Sequence, residues 1–212
     1  MEEARKLISG PLCRAAALRG RGRRHWRLSY GLAVVALACA LVRPASMRGQ
    51  ASKPTEYEVK AAYLYNFGRF VEWPATVTQA QSDSFSICVL GQDPFGPSLN
   101  AILANETIAG KNVVARQIST PQDAVNCRVL FISSSESARL KQILAALGDA
   151  SVLTVSDLPQ FTQRGGMVQF ILEGSRVRFE VNLATARHAG LKLSSELLKV
   201  AVNVRKGAPL GD

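Results

Sequence analysis

Cys127-Arg-Val-Leu-Phe-Ile-Ser-Ser-Ser-Glu-Ser-Ala-Arg-Leu-Lys-Gln-Ile-Leu-Ala-Ala-Leu-Gly-Asp-Ala-Ser-Val-Leu-Thr-Val155 is a strand, a helix and a second strand in succession. The apolar run over 128–133 is too short for a core helix and has the length of a buried strand. Ser134 or Ser135 supplies the cap of a helix that runs through Leu147 and is closed by Gly148. Val152–Val155 is apolar again. Strands that are apolar throughout and alternate with helices indicate a parallel sheet covered on both faces.

The pattern extends in both directions. Upstream, Phe85-Ser-Ile-Cys-Val-Leu90 and the stretch near Val113–Ile118 read as strands, with a helix between them from about Gly96 to Ala104. Further upstream, Thr55-Glu-Tyr-Glu58 has the form of a capping box, and Val59, Ala62, Tyr63, Phe67, Phe70 and Val71 follow at helical spacing. A helix is expected over 56–71, ended by Trp73-Pro74 because a residue before proline avoids helical dihedrals. Downstream, Met167–Glu173 and Arg176–Val181 flank Gly174-Ser175, a two-residue hairpin turn. Helices over 184–189 and 194–204 close the chain. The expected fold is a single α/β domain over residues 52–212: a mixed, mostly parallel sheet with helices on both faces and a C-terminal hairpin and helix.

Charge narrows the function. Of the formal net charge of +10 over 212 residues, +8 lies in residues 1–50 and +2 in the remainder. A nearly neutral body gives no electrostatic footprint for nucleic acid, so DNA and RNA are not expected partners. The first fifty residues read instead as an address. Arg19-Gly-Arg-Gly-Arg-Arg-His-Trp-Arg27 precedes the uncharged, 15-residue run from Leu28 to Val42. That length suits the core of a signal peptide and falls short of the roughly 20 residues that span a bilayer. Gly49-Gln50-Ala51 offers a small-x-small site, with cleavage expected after Ala51; an uncleaved anchor is the alternative. Arginines ahead of the apolar run send the body out of the cytoplasm in either case.

Without residues 1–51 the four cysteines reduce to Cys88 and Cys127. An even pair in an oxidising compartment is a disulfide candidate, and neighbouring strands bring Cα atoms within reach of a bridge. Two buried thiols are the alternative reading. No CxxC is present, which excludes thiol-redox catalysis and thiolate zinc sites.

The sequence offers little for catalysis. His25 and His188 are its two histidines, so no metal centre of His and Cys is expected. Ser133-Ser-Ser135 follows a strand, but no G-x-S-x-G surrounds it, and these serines read as helix caps. Gly91-Gln-Asp-Pro-Phe-Gly96 lacks the Gly-Lys-Ser/Thr of a P-loop and the third glycine of a dinucleotide fingerprint, and reads as turn chemistry. No cofactor and no catalytic residue are assigned.

Two features suit recognition. Tyr57, Tyr63, Tyr65, Phe67, Phe70 and Trp73 are crowded into seventeen residues. Helical spacing assigns Tyr63, Phe67 and Phe70 to the core, and leaves Tyr65 and Trp73 for an apolar surface. In Arg176-Val-Arg-Phe-Glu-Val-Asn182 alternation places Arg176, Arg178, Glu180 and Asn182 on one face. That face is either a solvated sheet surface or a charged recognition surface completed by Arg187 and Lys192.

Several of these stretches together carry a family resemblance. Val59-Lys-Ala-Ala-Tyr-Leu-Tyr-Asn-Phe-Gly-Arg-Phe-Val-Glu-Trp-Pro74 resembles the opening signature of the YfiR family of periplasmic proteins. Cys88–Gly96, Cys127–Ser133, Val152–Asp157, Gly165–Phe170, Arg176–Leu183 and Ala189–Lys199 continue the likeness in order, over roughly 55–206. The resemblance implies a mixed α/β fold, a structural disulfide at the places of Cys88 and Cys127, and a regulator without enzymatic activity. It further implies a partner, the periplasmic sensor portion of an inner-membrane diguanylate cyclase, held inactive so that cyclic di-GMP and biofilm formation fall. A second cysteine pair present in some members is absent here. Homodimers occur in the family. The competing reading is a periplasmic small-molecule-binding module with its ligand at the carboxyl ends of the parallel strands.

Overall fold

The computed structural model describes residues 53–75 and 83–207. The basic leader and the expected cleavage after Ala51 lie outside the described residues. The capping box forms as written: Thr55 Oγ1 accepts the Glu58 N–H at 3.3 Å, and Glu58 Oε2 accepts the Thr55 N–H at 2.6 Å. It opens helix α1 (Glu56–Phe70), which passes directly into β1 (Val71–Glu72). Then come β2 (Ser84–Leu90), α2 (Pro97–Leu103), β3 (Thr107–Ile108), β4 (Lys111–Ile118) and β5 (Val129–Ile132). α3 (Leu140–Leu147), β6 (Leu153–Ser156), β7 (Val168–Glu173) and β8 (Arg176–Asn182) follow. α4 (Leu183–His188), β9 (Lys192–Leu193), α5 (Ser195–Val200) and β10 (Asn203–Arg205) complete the chain.

Eight strands form one sheet in the order β10-β8-β7-β6-β5-β2-β4-β3. The pairs β8–β7 and β4–β3 are antiparallel and the other five parallel, so the sheet is mixed and mostly parallel, as expected. Strand alternation sorts the core into two layers. Ile87, Val89, Phe131, Val155 and Phe179 pack against Ala61, Leu64 and Phe67 of α1, with α2, α4 and α5 on the same side. Cys88, Leu90, Leu130 and Ile132 pack on the opposite face, against Leu140 and Ile143 of α3 and Phe161. Cys88 and Cys127 are joined in a disulfide in this second layer, with Cα atoms 5.9 Å apart.

Three local expectations are corrected. The helix expected from Ser134 or Ser135 begins as a 3-10 segment over 134–139, and its cap is Ser133, whose hydroxyl accepts the Ser135 N–H. The helix expected over 194–204 ends at Val200, because Asn203–Arg205 find backbone partners in Glu180–Asn182 at the sheet edge. Pairing with a distant strand outweighs local helix preference there. Phe70, assigned to the core, is 37% exposed. The helix ends at that residue, and the extended backbone carries Val71, 6% exposed, into the core instead.

Candidate functional site

The sheet's direction divides the expected site residues between two ends of the molecule. β8 begins at the carboxyl edge of the parallel strands and runs back to the amino edge. Six residue steps at about 3.3 Å separate Arg176 from Asn182 by about 20 Å.

At the carboxyl edge, α1 enters beside the ends of β6 and β7. Lys60 lies on the inner stripe of α1 with its side chain 3% exposed. An ammonium so desolvated requires partners. Asp157, just past β6, supplies one at 2.7 Å and Glu56, one turn back along α1, another at 2.5 Å. The Tyr57 ring lies 4.4 Å from Lys60 Nζ, and the Tyr57 hydroxyl donates to Asp157 at 3.1 Å. Burial presses the Lys60 pKa down, but its hydrogen bonds to Asp157 and Glu56 outweigh this and the value is raised. The Tyr57 pKa is raised too, by burial first and then by the Asp157 charge. Lys60 is thus a locked cation, not a proton carrier near neutral pH. Its carboxylates fasten the start of α1 to the end of β6.

Arg176 and Arg178 come together beside this clamp. They line a groove of about 610 Å³ with Lys53, Glu56, Tyr63 and Leu172, between the start of α1 and the tip of the β7–β8 hairpin. Arg176 is exposed, Arg178 half-buried and Leu172 53% exposed. Gly174 holds the turn at φ +61°, a conformation other side chains adopt rarely.

Glu180 and Asn182 share the face of Arg176 and Arg178, as alternation required, yet do different work. Glu180 accepts a hydrogen bond from the Thr162 hydroxyl. Asn182 is 3% exposed, and its Nδ2 donates to the Thr162 carbonyl at 2.9 Å. Its Oδ1 accepts the Thr185 N–H at 3.2 Å and so caps α4. Both side chains hold the loop between β6 and β7 over the sheet. Asn182 is therefore interior and not part of an exposed surface.

The remaining residues lie toward the amino edge. Tyr65 donates to Glu106, and the Arg69 guanidinium sits 5.8 Å from its ring. Trp73 packs edge-on against Phe85 at 5.3 Å. Lys192 is exposed in β9, which pairs antiparallel with β1 so that Lys192 lies opposite Glu72. Arg187 is exposed in the last turn of α4, beside His188, whose Nε2 lies 3.0 Å from Asp149.

The structure therefore gathers Arg176 with Arg178 at one end of the sheet and sets Tyr65 and Trp73, each with its own partners, toward the other, rather than forming a single patch. Lys60 and Asp157 were absent from the sequence-level assignment. A lysine four residues after Glu56 was a legible signal, whereas the contact with Asp157 was not. The turn at 91–96 matches its sequence reading: Asp93 Oδ1 accepts the Phe95 N–H at 2.8 Å, and Ser135 Oγ accepts the Gln92 N–H at 2.9 Å.

Among solved structures, a conserved domain protein from Vibrio cholerae superposes with a TM-score of 0.50 at 12% identity, covering 73% of this chain and 62% of that one. The chain thus spans less than two thirds of that structure, and the likeness is one of fold. The ABC domain from Streptococcus pneumoniae in complex with L-Trp gives a TM-score of 0.43 at 11% identity, over 57% of this chain and 55% of that one. At the level of family, residues 57–202 match the YfiR/HmsC-like family model, a span that runs from the first turn of α1 past the end of α5; the chain belongs to the YfiR/HmsC-like family.

Proposed function

We propose that this protein is an exported regulator that binds the periplasmic sensor region of an inner-membrane diguanylate cyclase and holds the enzyme inactive. The observation that carries this reading is the family match over 57–202, nearly the whole folded body. Membership of that family supports a periplasmic, non-catalytic regulatory role in general terms. Among the described residues, no helix is long and apolar enough to cross a membrane. Regulation by binding asks for no catalytic group. It asks that the protein favour the inactive cyclase conformation over the active one by a few kcal/mol.

The contact surface we assign is the hairpin tip, where Arg176, Arg178 and the exposed Leu172 line one groove beside the start of α1. Arginines beside an exposed apolar side chain have the composition of a binding hot spot. Deleting the gene is expected to raise cyclic di-GMP, and the tagged protein is expected to co-purify a membrane protein with a cytoplasmic cyclase domain. Arg176→Glu with Arg178→Glu is expected to abolish that co-purification while the protein still folds. Unchanged cyclic di-GMP on deletion, with no membrane protein recovered, refutes the proposal.

A further inference from the structure

The strand β4 is longer than the neighbour on its outer side. Its inner side pairs with β2 in unbroken register from Asn112 to Ile118. On the outer side β3 covers only the start: Ile108 lies opposite Lys111, Thr107 opposite Asn112, and the Val113 N–H donates to the Glu106 carbonyl at 3.0 Å. From Val114 to Ile118 no strand lies on that side among the described residues. The Val113 bond fixes the phase of the open stretch. Backbone groups face alternate sides along a strand, so the N–H and C=O of Ala115 and Gln117 point outward, while those of Val114, Arg116 and Ile118 turn to β2. Native sheets blunt such an edge with a proline, a bulge or a covering loop. Val114-Ala-Arg-Gln-Ile118 has no proline and no bulge, and Arg116 and Gln117 are exposed.

Register and charge decide what fits this edge. A second copy pairing antiparallel through all five residues centres on Arg116 and sets that guanidinium directly opposite its own image, where like charges are destabilising. Centring the pair on Ala115 instead puts Gln117 and Ile118 of the copy opposite Val113 and Asn112, places that Glu106 and Thr107 already hold. A strand from a different protein meets neither obstacle. Arg116 makes no ion pair among the described residues and so favours a carboxylate across from it. Val114 and Ile118, both half-buried, flank Arg116 on the same face and call for apolar neighbours. On the other face Ala115 borders a groove of about 440 Å³, walled by Asn100, Leu103 and Ala104 at the end of α2. The complementary strand therefore alternates apolar, acidic and apolar residues on one face.

We propose that the outer edge of β4 takes up an extended segment of another protein as an added strand, with a carboxylate of that segment opposite Arg116 and apolar side chains opposite Val114 and Ile118. Main-chain bonds to Ala115 and Gln117 hold the segment, and the side-chain pattern selects it. The site goes beyond the proposed regulatory role and lies on the far side of the sheet from β8, so it stands whatever the hairpin tip binds. The probe is the acetylated and amidated peptide Ser-Val-Thr-Glu-Thr-Val-Ser, which reads the same in both directions and presumes neither parallel nor antiparallel entry. Titrated into the isotope-labelled full chain, it is expected to shift the Ala115 and Gln117 amide resonances saturably and to slow their hydrogen exchange. Replacing its glutamate with lysine is expected to weaken binding about fivefold, and Arg116→Glu to reverse that preference. Ala115→Pro removes one outward N–H, spares the bonds to β2 and is expected to abolish binding. Unmoved Ala115 and Gln117 amides, or equal affinity for the two peptides, overturns the proposal. Protection of both amides before peptide is added overturns it as well: rising with protein concentration it reveals a second copy, and constant it reveals a segment of this chain. Arg116→Glu, on an exposed side chain, keeps the test decisive should Ala115→Pro fail to fold.

Discussion

Replacing Lys60 with methionine removes one charge and keeps the length of the side chain. In the native protein that charge is 3% exposed and shared by Asp157, 14% exposed, and Glu56, 38% exposed. Breaking a fully buried pair by deleting one partner costs roughly 3–5 kcal/mol. Water reaches both carboxylates here, most of all Glu56, and relieves part of that penalty, so the expected loss for Lys60→Met is about 2–3 kcal/mol. Asp157→Asn is expected to cost about 1–2 kcal/mol, since Glu56 still neutralises the ammonium. In the double variant neither charge is stranded, and the coupling energy is expected near 1.5 kcal/mol. Urea unfolding of the four proteins at neutral pH measures all three quantities. The Lys60 pKa is raised in the folded state, so its contribution is complete below the unfolded value of about 10.4 and is lost as pH rises through the folded value. The gap between native protein and Lys60→Met is therefore expected to be flat from about pH 6 to 9 and to narrow only in strong alkali. A coupling energy below about 0.5 kcal/mol, or a gap that closes by pH 8, refutes the clamp.

Three further outcomes rest on packing and backbone. Replacing both Cys88 and Cys127 with alanine opens a link across 39 positions, and loop entropy sets the expected loss at about 4 kcal/mol in denaturant unfolding; a loss under about 1 kcal/mol contradicts that account. Gly166→Ala puts a Cβ 2.1 Å from an edge atom of the Phe161 ring, which is 0% exposed and has no room to withdraw. A loss of about 2–3 kcal/mol in thermal or urea unfolding is expected, and a neutral result shows that the second core layer is loosely packed. Ala109 holds φ +50°, where alanine is strained and asparagine is tolerated, so Ala109→Asn is expected to stabilise by about 0.5–1 kcal/mol; destabilisation in the same assay refutes the strain argument.

Much of the architecture was legible because short-range rules suffice for it. The capping box at Thr55, the turn at Gly174-Ser175 and the apolar runs of β2, β5 and β6 each carry their instruction within a few residues. Alternation along β8 assigned its two faces correctly. It did not disclose that Asn182 and Glu180 are spent on Thr162, some twenty residues away, because alternation gives direction and not neighbours. The strand β10 was hidden for a related reason. Ala201-Val-Asn-Val204 is compatible with helix, and only the open edge of β8 makes the extended form better.

The amino-acid order by itself determined the class of fold and the candidacy of Cys88 and Cys127 for a disulfide. Those properties depend on periodicity, turn chemistry and composition, which act between near neighbours. Tertiary structure alone decided that Lys60 is buried against Asp157, that Arg176 and Arg178 stand at the opposite end of the sheet from Trp73, and that, among the described residues, the Trp73 indole N–H is left without an acceptor. Each of these arises where segments distant in the chain meet and exclude water. The energy of a charge or a hydrogen-bond donor depends on that exclusion, and no local pattern of residues encodes it.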